Sequence, residues 1–160
     1  MTDATTPRQP SALELRIQED LKQAMRDKND VARDTLRMLK AELLREQVKV
    51  DDPNDAQTSV DEMAILLRAV KTRRESATEY ERGGRAELAA KELAEVEVLS
   101  VYLPKPMDDD EAREALRALS AELGLTEKKQ MSQLMKAALE RHRGTLDGKQ
   151  ASRLLAQILS

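Results

Sequence analysis

Cysteine, phenylalanine and tryptophan are absent from this sequence. Without cysteine there are no disulfides and no thiolate metal sites, which fits a reducing compartment; the expected location is the cytoplasm. The single histidine, His142, stands between Arg141 and Arg143. Zinc ligation and a carboxylate–His–Ser relay therefore lack the partners they need, and no metal is expected. Only Tyr80 and Tyr102 carry rings, so the core must be built from Leu, Ala, Val, Ile and Met. The same scarcity removes the platforms on which single-stranded bases stack, so any contact with RNA would run through phosphates and shape. No apolar run approaches the length of a membrane span, and none follows the first basic residue; neither an anchor nor a signal peptide is expected. Gly83–Gly84 is not followed by Lys-Ser/Thr and does not follow a strand pattern, so it is not a phosphate-cradling loop, and no cofactor is expected.

What is present is charge and helix-forming residues. The chain is 36% charged and 40% hydrophobic, with a net charge of −3. Such a molecule does not attract polyanions as a whole, and a nucleic-acid role needs a local basic face. No segment alternates with a period of two, so no strand is predicted. The spacing predicts an all-α protein of seven helices.

Residues 1–10 are polar and carry Pro7 and Pro10; they read as a disordered tail. Ser11 and Glu14 form a capping-box pattern ahead of a stripe of Leu13, Ile17, Leu21 and Ala24/Met25, ending near Lys28–Asn29. Asn29 or Asp30 caps a second helix with Ala32, Leu36, Leu39, Leu43/Leu44 and Val48 inward and Arg33, Arg37, Lys40 and Arg45 outward. After a loop at 51–55, Ser59 and Glu62 suggest another capping box. The third helix turns Met63, Leu66/Leu67, Val70, Ala77 and Tyr80 inward. Gly83–Gly84 stops it, and a fourth helix runs from about Arg85 to Tyr102 with Leu88/Ala89, Leu93, Val96 and Leu99 inward. At ~1.5 Å per residue these two form a long antiparallel hairpin, each arm about 25–35 Å.

Pro104 and Pro106 cannot continue that helix and divide the chain. The expected domains are an N-terminal four-helix domain at 11–103 and a C-terminal three-helix domain at 104–160. In the latter, Asp108 caps a helix of Ala112, Ala115/Leu116, Leu119 and Leu123 that stops at Gly124. A helix over about 128–141 carries Met131, Leu134/Met135 and Ala138/Leu139. Asp147 caps the last, with Leu154/Leu155 and Ile158/Leu159.

Two basic clusters are candidate sites. Arg68, Lys71, Arg73 and Arg74, continuing to Arg82 and Arg85, crowd like charges at helical spacing, which a phosphate-facing patch would explain. Glu75, Glu79 and Glu81 could equally pair and solvate that face. From Thr126 to the end there are seven basic and three acidic residues, net +4, whereas Leu103–Leu125 has three basic and six acidic, net −3. Lys136, Arg141, Arg143 and Lys149 lead this skew, and the Gly148 and Lys149 amides at a helix N-terminus could face an anion. The competing reading is a basic helix end followed by an ordinary capped turn. Ser76 and Tyr80, one turn apart near Arg73, read either as a polar site or as a packing seam. Glu92, Glu95 and Glu97 have no acid–base partner at defined spacing. Met131 and Met135 read as core.

Beyond these clusters, Arg73-Arg74-Glu-Ser76, Tyr80, Gly83-Gly84-Arg85 and Tyr102-Leu103-Pro104, with Met131…Leu134-Met135-Lys136 and Asp147-Gly148-Lys149, together resemble the YqeY family of small bacterial proteins. Ser132 and Leu146 depart from the pattern, where Gly and Ala are usual. That family is similar to the tail of the B subunit of glutamine-dependent tRNA amidotransferases, a helical tail that contacts tRNA while the chemistry occurs elsewhere. The resemblance implies two helical domains and an association with tRNA or a tRNA-amidation complex. It does not imply that this chain carries the active site; together with the local +4, it leads to the expectation of a non-catalytic binding protein. The alternatives are a helper of that carbon–nitrogen ligase reaction, with glutamine as the amido-nitrogen donor, or a protein-interaction module. The RNA-contacting candidates are Arg141, Arg143, Lys149, Lys136, Arg73, Arg74 and Arg85; no homo-oligomer is expected.

Overall fold

Ser11, Asn29, Asp108 and Asp147 each turn a side-chain oxygen onto the backbone N–H three residues ahead, at 3.1, 3.1, 2.8 and 2.7 Å. Each satisfies a donor that a helix start leaves open, worth about 1 kcal/mol. These caps begin four of the helices in the computed structural model, which describes residues 8–55 and 59–160. Among the described residues there are seven α-helices and no strand: α1 (Ala12–Arg26), α2 (Asp30–Asp51), α3 (Glu62–Arg82), α4 (Ala86–Ser100), α5 (Asp109–Leu123), α6 (Met131–Arg141) and α7 (Gly148–Ile158). A short 3₁₀ turn, Lys128–Gln130, leads into α6.

Two local expectations are corrected. The cap of α3 is Asp61, which accepts from the Ala64 N–H at 3.1 Å, not Ser59. The Glu14 carboxylate does not close a capping box on Ser11; it binds the Arg8 guanidinium at 2.9 and 3.2 Å. Of the tail expected at 1–10, residues 1–7 lie outside the described residues.

The chain divides into two units, Met1–Leu103 and Pro104–Ser160. In the first, Ile17 of α1, Leu36 and Leu39 of α2, Leu66 and Val70 of α3, and Val96 and Leu99 of α4 form one apolar cluster. Burying each such side chain contributes about 1.5–3 kcal/mol, and this term holds the helices together. The stripes are narrower than their spacing suggested. Leu44, Val48 and Leu93 are exposed, while Leu43, Ala89 and Val96 beside them on the same helices are buried. The Ser11 hydroxyl donates to Glu62 at 2.6 Å and so ties the starts of α1 and α3.

The α3–α4 turn is set by Gly84, at φ 72°, in the left-handed region. The Arg85 N–H reaches the Tyr80 carbonyl at 2.7 Å and the Gly84 N–H reaches that of Glu81 at 3.1 Å. This double closure satisfies the last carbonyls of α3, and glycine takes the left-handed position without the strain that a side chain brings. With 15 residues, α4 is about 22 Å long, shorter than expected, because it stops at Ser100 before the prolines.

In the second unit, Leu116 and Leu119 of α5, Leu134 and Ala138 of α6, and Leu154 and Leu155 of α7 share a separate core. Met131 and Met135 pack against it. Leu123, read as inward, is exposed. Gly124 at φ 68° ends α5, and Leu125 folds back into the core. Backbone bonds stitch the ends together: Met107 N–H to the Thr145 carbonyl at 2.8 Å and Lys128 N–H to the Ser160 carbonyl at 3.0 Å.

Candidate functional site

The basic residues of the C-terminal unit lie where α6 hands over to α7. The His142 N–H closes α6 on the Ala138 carbonyl at 2.9 Å, and Gly144 at φ 83° turns the chain. Arg141 pairs with Glu122 of α5, which holds that carboxyl below its usual range through the hydrogen bond. Arg153 of α7 binds Asp109 of α5 at 2.7 Å. That contact, seconded by a Gln150 amide at 3.1 Å, brings the Asp109 carboxyl down to about 2. Lys136 and Lys149 are exposed and have no side-chain partner among the described residues; Arg143 is exposed too. The amides at the α7 start, read as facing an anion, already have a carboxylate beside them. Asp147 caps that turn, so a ligand anion there meets like charge.

At the α3–α4 hairpin the expected basic cluster separates. Arg74 and Arg85 are exposed. Lys71 pairs with Glu75 at 3.9 Å and Arg82 with Glu79 at 2.9 Å, so the acids of α3 partly neutralise this face. Arg73 does not belong to the solvent face at all. It is 7% exposed. Its Nε donates to Glu95 at 2.9 Å, Nη1 to the Ala69 carbonyl at 3.1 Å, and Nη2 to the Met38 sulfur at 3.8 Å. A buried cation needs such compensation, and it cannot serve as a surface phosphate contact. The burial is readable in hindsight: Leu66, Val70, Arg73 and Ala77 fall on one helical face.

Arg73 forms part of the wall of a cleft of about 410 Å³ between α2, α3 and α4. Glu42 and Arg45 of α2, Arg68 and Ser76 of α3, and Glu92 of α4 also line it. Sequence reasoning had Arg45 on an outward face and weighed Glu92 only as a catalyst; it overlooked Glu42. The signal missed was the density of unpaired opposite charges on three helices whose apolar stripes converge.

Tyr102, where the fourth helix was expected to end, lies just beyond α4 and carries a polar contact that the spacing did not reveal. Its hydroxyl donates to Asp20 of α1 at 2.5 Å, and the Arg16 guanidinium lies 4.8 Å from its ring centre. No group of three or more His, Asp or Glu arranged for a metal occurs among the described residues. No helix there is long and apolar enough to cross a membrane.

Residues 14–159 match the sequence profile of a family described as Yqey-like protein. The chain is also similar to "Altered inheritance of mitochondria protein 41, mitochondrial" from Pyrenophora tritici-repentis (strain Pt-1C-BFP). The two are 27% identical over 146 residues, which cover 91% of this chain and 68% of that protein. With nearly its whole length matched and an all-helical fold, the chain belongs to the YqeY family.

Proposed function

We propose that this is a non-catalytic accessory protein that binds structured RNA of the tRNA type through basic side chains of its C-terminal unit. The observation that carries the reading is the local excess of cations over residues 126–160, net +4, on a chain whose overall charge is −3. Lys136 and Lys149 are exposed and unpaired among the described residues. Arg141 and Arg153 are held only by surface pairs. Such pairs are worth about 0–1 kcal/mol, so a polyphosphate displaces them at little cost. The resemblance to the tRNA-contacting tail of amidotransferase B subunits supports the same reading. Arg73 has no part in it; Arg74 and Arg85 at the hairpin turn remain accessible as a second contact.

The test is a titration of the full chain with purified tRNA at low and moderate salt. About four phosphate contacts predict a loss of affinity of about a hundredfold over a fourfold rise in salt. The triple variant Arg141→Glu, Arg143→Glu and Lys149→Glu is expected to abolish binding, and Arg74→Glu with Arg85→Glu reports whether the hairpin takes part. Undetectable binding by the parent, or binding unmoved by the triple change, rejects the proposal.

A further inference from the structure

The cleft between α2, α3 and α4 gathers ionisable groups that have not found one another. Glu42 and Arg45 enter from α2, Arg68 from α3 and Glu92 from α4. None of the four makes a side-chain hydrogen bond or ion pair among the described residues. The remaining charges of the wall are already matched: Arg73 to Glu95 at 2.9 Å and Glu46 to Lys49 at 3.0 Å. Two cations and two anions are thus left facing one volume of about 410 Å³.

That balance selects a ligand. A molecule with one sign of charge is attracted by half of these groups and repelled by the other half. A molecule carrying an ammonium and a carboxylate meets a partner at each end. Arg73 adds a fixed polar element. It is buried and uses three of its five N–H donors on Glu95, Ala69 and Met38, leaving two over. Ser76 supplies a hydroxyl on the same wall. The volume lies in the range of small-molecule sites.

We propose that this cleft binds a small free zwitterion of the amino-acid type. The carboxylate lies against Arg68 and Arg45, and the ammonium against Glu92 and Glu42. This does not depend on the RNA reading, which rests on the other unit.

The test follows backbone amide shifts of the isotope-labelled full chain during titration with glycine and with γ-aminobutyrate. Butyrate and butylammonium serve as singly charged controls. The expected result is saturable shifts at Thr72 and Ser76 with at least one zwitterion, at least about tenfold tighter than either control. Arg68→Ala and Glu92→Ala should each weaken it by about tenfold or more while circular dichroism and melting temperature stay as in the parent. Absence of saturable shifts, or a margin over the controls below about tenfold, overturns the proposal. Tighter binding of an end-capped peptide bearing Lys and Glu overturns it too, and assigns the cleft to a protein segment.

Discussion

The Tyr102 hydroxyl donates to the Asp20 carboxylate at 2.5 Å, fastening the segment after α4 to the middle of α1. The Arg16 guanidinium caps the same ring and donates to the Val101 carbonyl at 3.0 Å. The chain is thus tied to its first helix just before Pro104. Burial, and then the Asp20 hydrogen bond, push the phenol well above the usual tyrosine range. Tyr102→Phe is expected to cost about 1–2 kcal/mol, the worth of a partly exposed hydrogen bond to a charged acceptor. The folded-state pKa is raised, so this stability is fully present below the unfolded tyrosine value of about 10 and is lost as pH rises beyond it. Melting curves of parent and variant should keep a constant separation from neutral pH to about 10 and converge above.

Arg73 and Glu95 form a charge pair whose side chains are only 9% and 16% exposed. Removing one partner strands the other in a poor solvent. Arg73→Met alone should cost about 2–4 kcal/mol, somewhat below a fully buried pair because the cleft admits water. Arg73→Met combined with Glu95→Leu should recover most of the loss. Denaturant titration of the two single variants and the double supplies the coupling; additive losses would show that the pair does not act as one.

Lys28 sits at φ 54°, the only described non-glycine residue with positive φ. It closes α1 with the same pattern that Gly84 gives α3: the Asn29 N–H reaches the Ala24 carbonyl at 2.9 Å and the Lys28 N–H that of Met25 at 3.3 Å. A side chain there is strained. Lys28→Gly should raise stability by about 0.5–1 kcal/mol, while Gly84→Ala should lower it by about 1 kcal/mol. Chemical denaturation of both variants checks the opposite signs.

Asp109 begins α5 and reaches across to Arg153 and Gln150 of α7. Its carboxyl is depressed to about 2. The contribution is therefore present above the unfolded value of about 3.9 and disappears as pH falls through about 2. In Asp109→Asn the decline of melting temperature over that acid interval should be shallower than in the parent. An identical acid limb in both chains would assign the decline to other carboxylates.

The helix starts at Ser11, Asn29, Asp108 and Asp147 were legible because a cap is local chemistry: one side chain, one amide, three residues apart. Gly84 and Gly124 were legible for the same reason. What spacing could not tell was where a stripe stops being covered. Leu44, Val48, Leu93 and Leu123 sit in or beside apolar rows and are exposed, whereas Leu43, Val96 and Leu119 on the same helices are buried. The larger error was Arg73. Grouped with Arg74 by sequence proximity, it faces inward while Arg74 faces out, since adjacent residues diverge by about 100° around the axis. Glu95 shares a face with Leu88 and Leu99, at spacings of seven and four, which places an acid where Arg73 needs one. The cleft itself arises from three helices at once, and no single stretch of sequence contains it.

Both tyrosines, Tyr80 and Tyr102, belong to the N-terminal unit, and there is no tryptophan. Intrinsic fluorescence is thus a private channel into that half of the chain, and the C-terminal three helices are dark to it. With a carboxylate at its hydroxyl, Tyr102 is positioned to emit weakly when folded and to brighten when released. A tryptophan introduced at the exposed Leu123 would give the silent half a voice of its own.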